Sequence, residues 1–79
     1  MPSKHVGSFR IQVFSNDHRP AHVHVFQDDM EIVLELNDRK AVLRETRGKV
    51  PSKVIAKAKK AVEDNFEAVS EMWENIHGT

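Results

Sequence analysis

Seventy-nine residues without a cysteine read as a single domain, 1–79, that neither disulfides nor thiolate zinc ligands can staple; any metal must be held by histidine and carboxylate. The 12 basic and 12 acidic side chains cancel, which speaks against a dedicated nucleic-acid binder and leaves only a local basic stretch from Arg39 to Lys60. No apolar run reaches membrane-spanning length and the start, M-P-S-K-H-V-G-S, lacks a signal peptide's apolar core, so a cytoplasmic protein without membrane contact is expected.

Residues 1–8 read as a loose arm. Phe9, Ile11 and Val13 then alternate with Arg10 and Gln12, the period of a half-buried strand. Ser15-Asn16-Asp17 and Arg19-Pro20 are turn chemistry. A second strand is expected from His22 to Phe26, a two-residue turn at Asp28-Asp29, and a third strand from Met30 to Leu36. A turn at Asn37-Asp38 leads into a fourth strand, Arg39 to Glu45, so that the sheet occupies residues 9–46.

Those two turns fix a register. Phe26 faces Glu31, Val25 faces Ile32, His24 faces Val33, Val23 faces Leu34 and His22 faces Glu35. Across the next turn Glu35 faces Lys40, Leu34 faces Ala41, Ile32 faces Leu43 and Glu31 faces Arg44. One sheet face then carries Phe9, Ile11, Val13, Val23, Val25, Ile32, Leu34 and Leu43 and is the core face. The other carries His22, His24, Phe26, Glu31, Val33, Glu35, Lys40, Val42 and Arg44, a wet face.

The cover is a helix over residues 52–77, with Ser52 as N-cap. Val54, Ile55, Ala58, Val62, Phe66, Val69, Trp73 and Ile76 recur at helical spacing as its apolar stripe. Unbroken, it would be about 37 Å long against strands of about 20 Å. The segment bearing Met72, Trp73 and Ile76 must therefore bend away near Asp64-Asn65 or bury itself against another chain, and a homodimer is expected. The fold class is α+β: a small, mostly antiparallel four-stranded sheet followed by one long C-terminal helix packed on one face.

Three of the five histidines lie between His18 and His24. His22 and His24, two apart on a strand, share a face roughly 7 Å from each other. With Glu35 opposite His22, and His18 or Asp17 from the preceding loop, they form a ligand set for a divalent metal such as zinc. Alternatively, His22 and His24 act as acid and base beside a Glu35–Lys40 row, with Arg44 diagonal to it, an arrangement suited to cleaving RNA through its own 2′-hydroxyl. The plain reading stands beside both: Glu35–Lys40 and Glu31–Arg44 specify register, and Asn16, Asp17 and Pro20 turn the chain. His5 and His77, near the ends, are expected to do nothing specific.

The run S-N-D-H-R-P-A-H-V-H-V from Ser15 to Val25, following Arg-Ile-x-Val-Phe, resembles the short bacterial proteins of domain-of-unknown-function family 4160, and Glu71-Met72-Trp73-Glu74 is similar to their acidic, tryptophan-bearing ending. The resemblance implies Asp17, His18, Pro20, His22 and His24 as signature positions. It also implies a two-gene, toxin–antitoxin-like setting, hence a regulatory or interaction protein whose histidine face meets a protein partner encoded by a neighbouring gene. A small hydrolase, metal-assisted or an acid–base ribonuclease, is the alternative. H-V-H-V-F is also similar to the histidine-triad nucleotide hydrolases, but Phe26 stands where their third histidine belongs.

Overall fold

A computed structural model describes residues 3–78. Five strands, β1 (Ser3–Val6), β2 (Phe9–Gln12), β3 (His22–Gln27), β4 (Met30–Asn37) and β5 (Lys40–Arg47), precede two helices, α1 (Ser52–Asp64) and α2 (Phe66–His77). The strands form one antiparallel sheet in chain order, each paired with its sequence neighbour. The class is α+β, but with five strands and two helices rather than four and one.

The fifth strand comes from the supposed arm. Ser3-Lys4-His5-Val6 lacks an apolar alternation because it is an edge strand held by backbone pairing, with Lys4 opposite Ile11 and Val6 opposite Phe9. Gly7, at φ +59°, makes the turn between them. Met1 and Pro2 of that arm lie outside the described residues.

Between β3 and β4 the register is the expected one, from His22 opposite Glu35 to Phe26 opposite Glu31, and Asp28-Asp29 is the turn. Between β4 and β5 it is not. Asp38 and Arg39 both take positive φ, 53° and 65°, so the turn sits one residue later than Asn37-Asp38. Lys40 then faces Asn37, Ala41 faces Leu36, Val42 faces Glu35 and Leu43 faces Leu34. A bulge beside Val33/Leu34 leaves Arg44 unpaired and sets Thr46 against Ile32 and Arg47 against Glu31. The shift lets Ala41, 2 % exposed, lie in the core cluster with Ala58, Ala61 and Val62 of α1. Leu43, expected inside, stays 42 % exposed because an edge strand has neighbours on one side only.

The apolar helical stripe is real but interrupted. Asn65 leaves helical geometry (φ −118°, ψ 28°), and its side-chain amide donates to the Ala61 carbonyl at 2.8 Å. An asparagine that bonds the preceding turn competes with the next backbone bond, and the helix breaks there. Pro51, not Ser52, occupies the N-cap of α1, its carbonyl accepting from the Val54 and Ile55 amides. With the break, α2 packs against β3, and Val69 and Trp73 enter the core while Met72 and Ile76 flank it. The apolar overhang on which the homodimer expectation rested does not exist. Among the described residues, no helix is long and apolar enough to cross a membrane.

Candidate metal centre

Beyond β2 the chain makes a tight turn that aims a carboxylate. The Asp17 amide donates to the Phe14 carbonyl at 3.1 Å, and Asp17 Oδ2 accepts the Phe14 amide at 3.0 Å. With one oxygen fixed, the other, Oδ1, faces the start of β3: it lies 3.2 Å from His24 Nε2 and 3.5 Å from His22 Nε2. Asp17, His22 and His24 each offer a donor atom within 4.8 Å of the others.

The opposite ring nitrogens are engaged from the other side. His22 Nδ1 donates to the Pro20 carbonyl at 2.9 Å, and a carbonyl can only accept. His24 Nδ1 donates to Glu31 Oε2 at 2.7 Å. Both Nε2 atoms therefore face Asp17 Oδ1; His24 Nε2 is within hydrogen-bond distance of it, and a metal ion would take the place of the proton in that contact. Three candidate ligand atoms thus face one another within 4.8 Å. This is the arrangement of metal-ligating histidines, whose second nitrogen is held by a carbonyl or carboxylate that sets ring orientation. Ligands about 2.0–2.2 Å from a tetrahedral ion stand roughly 3.3–3.6 Å from each other, close to the two observed separations.

The face that carries these groups is not wet. Phe14 folds over it, its ring edge-on to His24 at 4.7 Å, and Trp73 reaches to 5.3 Å from the His22 ring. The side chains of His22, Asp17 and His24 are 7 %, 11 % and 15 % exposed. Burial pushes the Asp17 carboxyl up, but the Phe14 amide and the His24 and His22 imidazoles outweigh it and hold the group below its ordinary value of 3.8. A carboxyl lowered by folding stabilises the fold above its unfolded pKa, and the gain disappears as pH falls through the folded one. In chelator-treated protein, thermal melts between about pH 5 and pH 2 should lose stability more steeply than those of Asp17→Asn. Parallel curves would mean that the carboxylate contributes nothing.

Other expected site residues are placed differently. Glu35 stands opposite His22, yet its carboxylate faces Arg44 Nε at 3.9 Å and is absent from the cluster. Lys40, paired with Asn37, is exposed, so the row from His22 through Glu35 ends in Val42, and the cation beside His22 and Glu35 is Arg44. His18 is exposed, and Asp17 is the loop's contribution. Pro20 positions His22 through its carbonyl, after a cis Arg19–Pro20 peptide.

Two supporting groups escaped sequence reasoning. Glu31 was legible, since it lies diagonal to His24 on the same face in the expected register. His77 was not: its Nε2 donates to the Phe14 carbonyl at 3.1 Å and its ring lies 4.0 Å from that of Trp73, a contact that depends on the break at Asn65.

The sequence profile described as Domain of unknown function (DUF4160) matches residues 8–74. The chain belongs to that family. The match takes in Asp17, His22, His24 and Glu31, as well as Trp73 on α2. No curated protein and no solved structure matches the chain.

Proposed function

We propose that this member of the family is a metal-dependent regulatory or interaction protein, in which Asp17, His22 and His24 hold a divalent transition ion such as zinc. The clustering of one carboxylate oxygen and two imidazole Nε2 atoms within 4.8 Å, with both imidazoles already oriented by Pro20 and Glu31, carries the reading. Imidazole with one carboxylate suits zinc, nickel, cobalt or copper rather than calcium or magnesium. An ion there ties the loop to β3 and fixes how the exposed His18, Arg19 and Pro20 are presented. Metal availability would then govern recognition of a protein partner, as befits one component of a two-gene, toxin–antitoxin-like module.

A metal-assisted hydrolase is the second reading. Three protein ligands would leave a fourth position for water; Arg44 Nη1 lies 3.3 Å from His22 Nδ1, at the ring nitrogen opposite the one that faces Asp17. The regulatory reading is preferred because the ligands are largely buried. In addition, the surface cavities along α1 and beside the β1–β2 turn include none of them.

Trp73, the one tryptophan, is a built-in reporter 5.3 Å from His22. Nickel or copper should quench its fluorescence saturably, zinc should reverse the quenching, and His22→Gln or His24→Gln should weaken the response at least about tenfold. His77→Gln should leave it intact. Quenching that follows His77 and ignores His22 and His24 would sink the assignment.

A further inference from the structure

β5 is one edge of the sheet, and at eight residues it is twice the length of β1 at the other. Its outward N–H at Ala41 is already satisfied, by Glu63 Oε2 at 2.9 Å. Backbone direction alternates along a strand, so the Leu43 N–H points to the same open side. Val42 and Leu43, 47 % and 42 % exposed, are the large apolar side chains left in water among the described residues, and as neighbours they lie on opposite faces of β5.

Charge is sorted along the sequence from the end of β4 into α1. Nine of the 12 basic residues, all but Lys4, Arg10 and Arg19, fall between Arg39 and Lys60, with Glu45 the one acid among them. Arg39, Arg44, Arg47 and Lys60 have carboxylate partners. Among the described residues, no carboxylate pairs with Lys40, Lys49, Lys53, Lys57 or Lys59. The net charge of zero hides a cationic β5–α1 segment, of which Lys57 and Lys60 lie by the β1–β2 turn while Lys40 and Lys49 fall at the two ends of β5.

We propose that the free edge of β5 accepts an extended, acidic and apolar segment of a protein partner as a sixth strand. Strand addition supplies the hydrogen bonds that outward backbone groups lack, and alternate side chains of the segment meet Val42 on one face and Leu43 on the other. The lysines that follow β5 select carboxylates. The one edge donor already answered is answered by a carboxylate, that of Glu63. A second copy is a poor occupant, because pairing β5 with itself sets Lys40, Arg44 and Arg47 against the same charges. Nucleic acid would satisfy the lysines but leave the apolar pair and the strand edge unmatched. This inference does not depend on the metal centre.

The test titrates the isotope-labelled full chain with a peptide of about eight residues, the length of β5, with a central pair of adjacent valines flanked by glutamates. The amides from Leu43 to Arg47 should shift, their hydrogen exchange should slow at least about tenfold, and Lys49→Glu with Lys53→Glu should weaken binding about tenfold. A glutamine-for-glutamate peptide should bind as weakly as that variant does to the original. No change at the β5 amides by about 1 mM peptide overturns the proposal. So does equal binding of the glutamine peptide, a β5 edge already protected in a self-associated form, or a duplex oligonucleotide that displaces the peptide through Lys53 and Lys57.

Discussion

Replacing Trp73 with alanine should unfold most of the population at physiological temperature. Its side chain is 1 % exposed and is the largest wholly buried one, joining the core cluster of Val13, Val23 and Val69 while resting on the His22 and His77 rings. Truncating a buried tryptophan costs about 3–5 kcal/mol, and a domain of this size has little more than that in total. Trp73→Phe should be far milder, partly because the indole N–H has no hydrogen-bond partner to lose. Val23→Ala and Val25→Ala, both at fully buried positions, should fall between, at about 1–3 kcal/mol. Urea melts of the four proteins give the order directly. A Trp73→Ala protein as stable as wild type would mean that α2 is not part of the core.

Zinc should produce the other large effect. An ion that binds only the folded chain stabilises it by about 2.7 kcal/mol at 100 times its Kd, which for a domain this short raises Tm by more than about 10 °C. His22→Gln and His24→Gln should abolish the rise, and Asp17→Asn should reduce it strongly. His18→Gln and Glu35→Gln should keep it, since neither side chain is in the cluster. Scanning calorimetry with and without zinc separates the two ligand sets. A rise that survives loss of His22 but not of His18 would move the centre into the loop.

The comparison between expectation and structure turns on which constraints are local. Strict alternation on β3 and β4 with a two-residue turn at Asp28-Asp29 leaves one workable register, and that pairing is found, histidines opposite Val33 and Glu35 included. The next hairpin went astray because its turn places Arg39 at positive φ, a conformation for which arginine carries no signal. The pairing of Lys40 with Glu35 fell with it. At the centre, His-x-His was readable as a ligand pair from strand period alone. The choice of Asp17 over His18 was not, because it depends on the Phe14–Asp17 turn, which fixes one carboxylate oxygen and aims the other. The burial of the histidine face was equally hidden. Phe14 and Trp73 arrive there from opposite ends of the chain.

The order of the strands has a consequence for how the chain is made. Every strand pairs with its neighbour in sequence, so the sheet consists of short-range contacts and can assemble on the fast timescale of low contact-order domains. Both helices emerge after all five strands. During synthesis the core face, with Ile11, Val25 and Leu34, is therefore complete and bare before Val62, Val69 and Trp73 leave the ribosome to close it. That interval is the stage at which a nascent sheet is most prone to associate with its neighbours. The like charges of Lys40, Arg44 and Arg47 on β5 oppose edge-to-edge pairing of two such sheets.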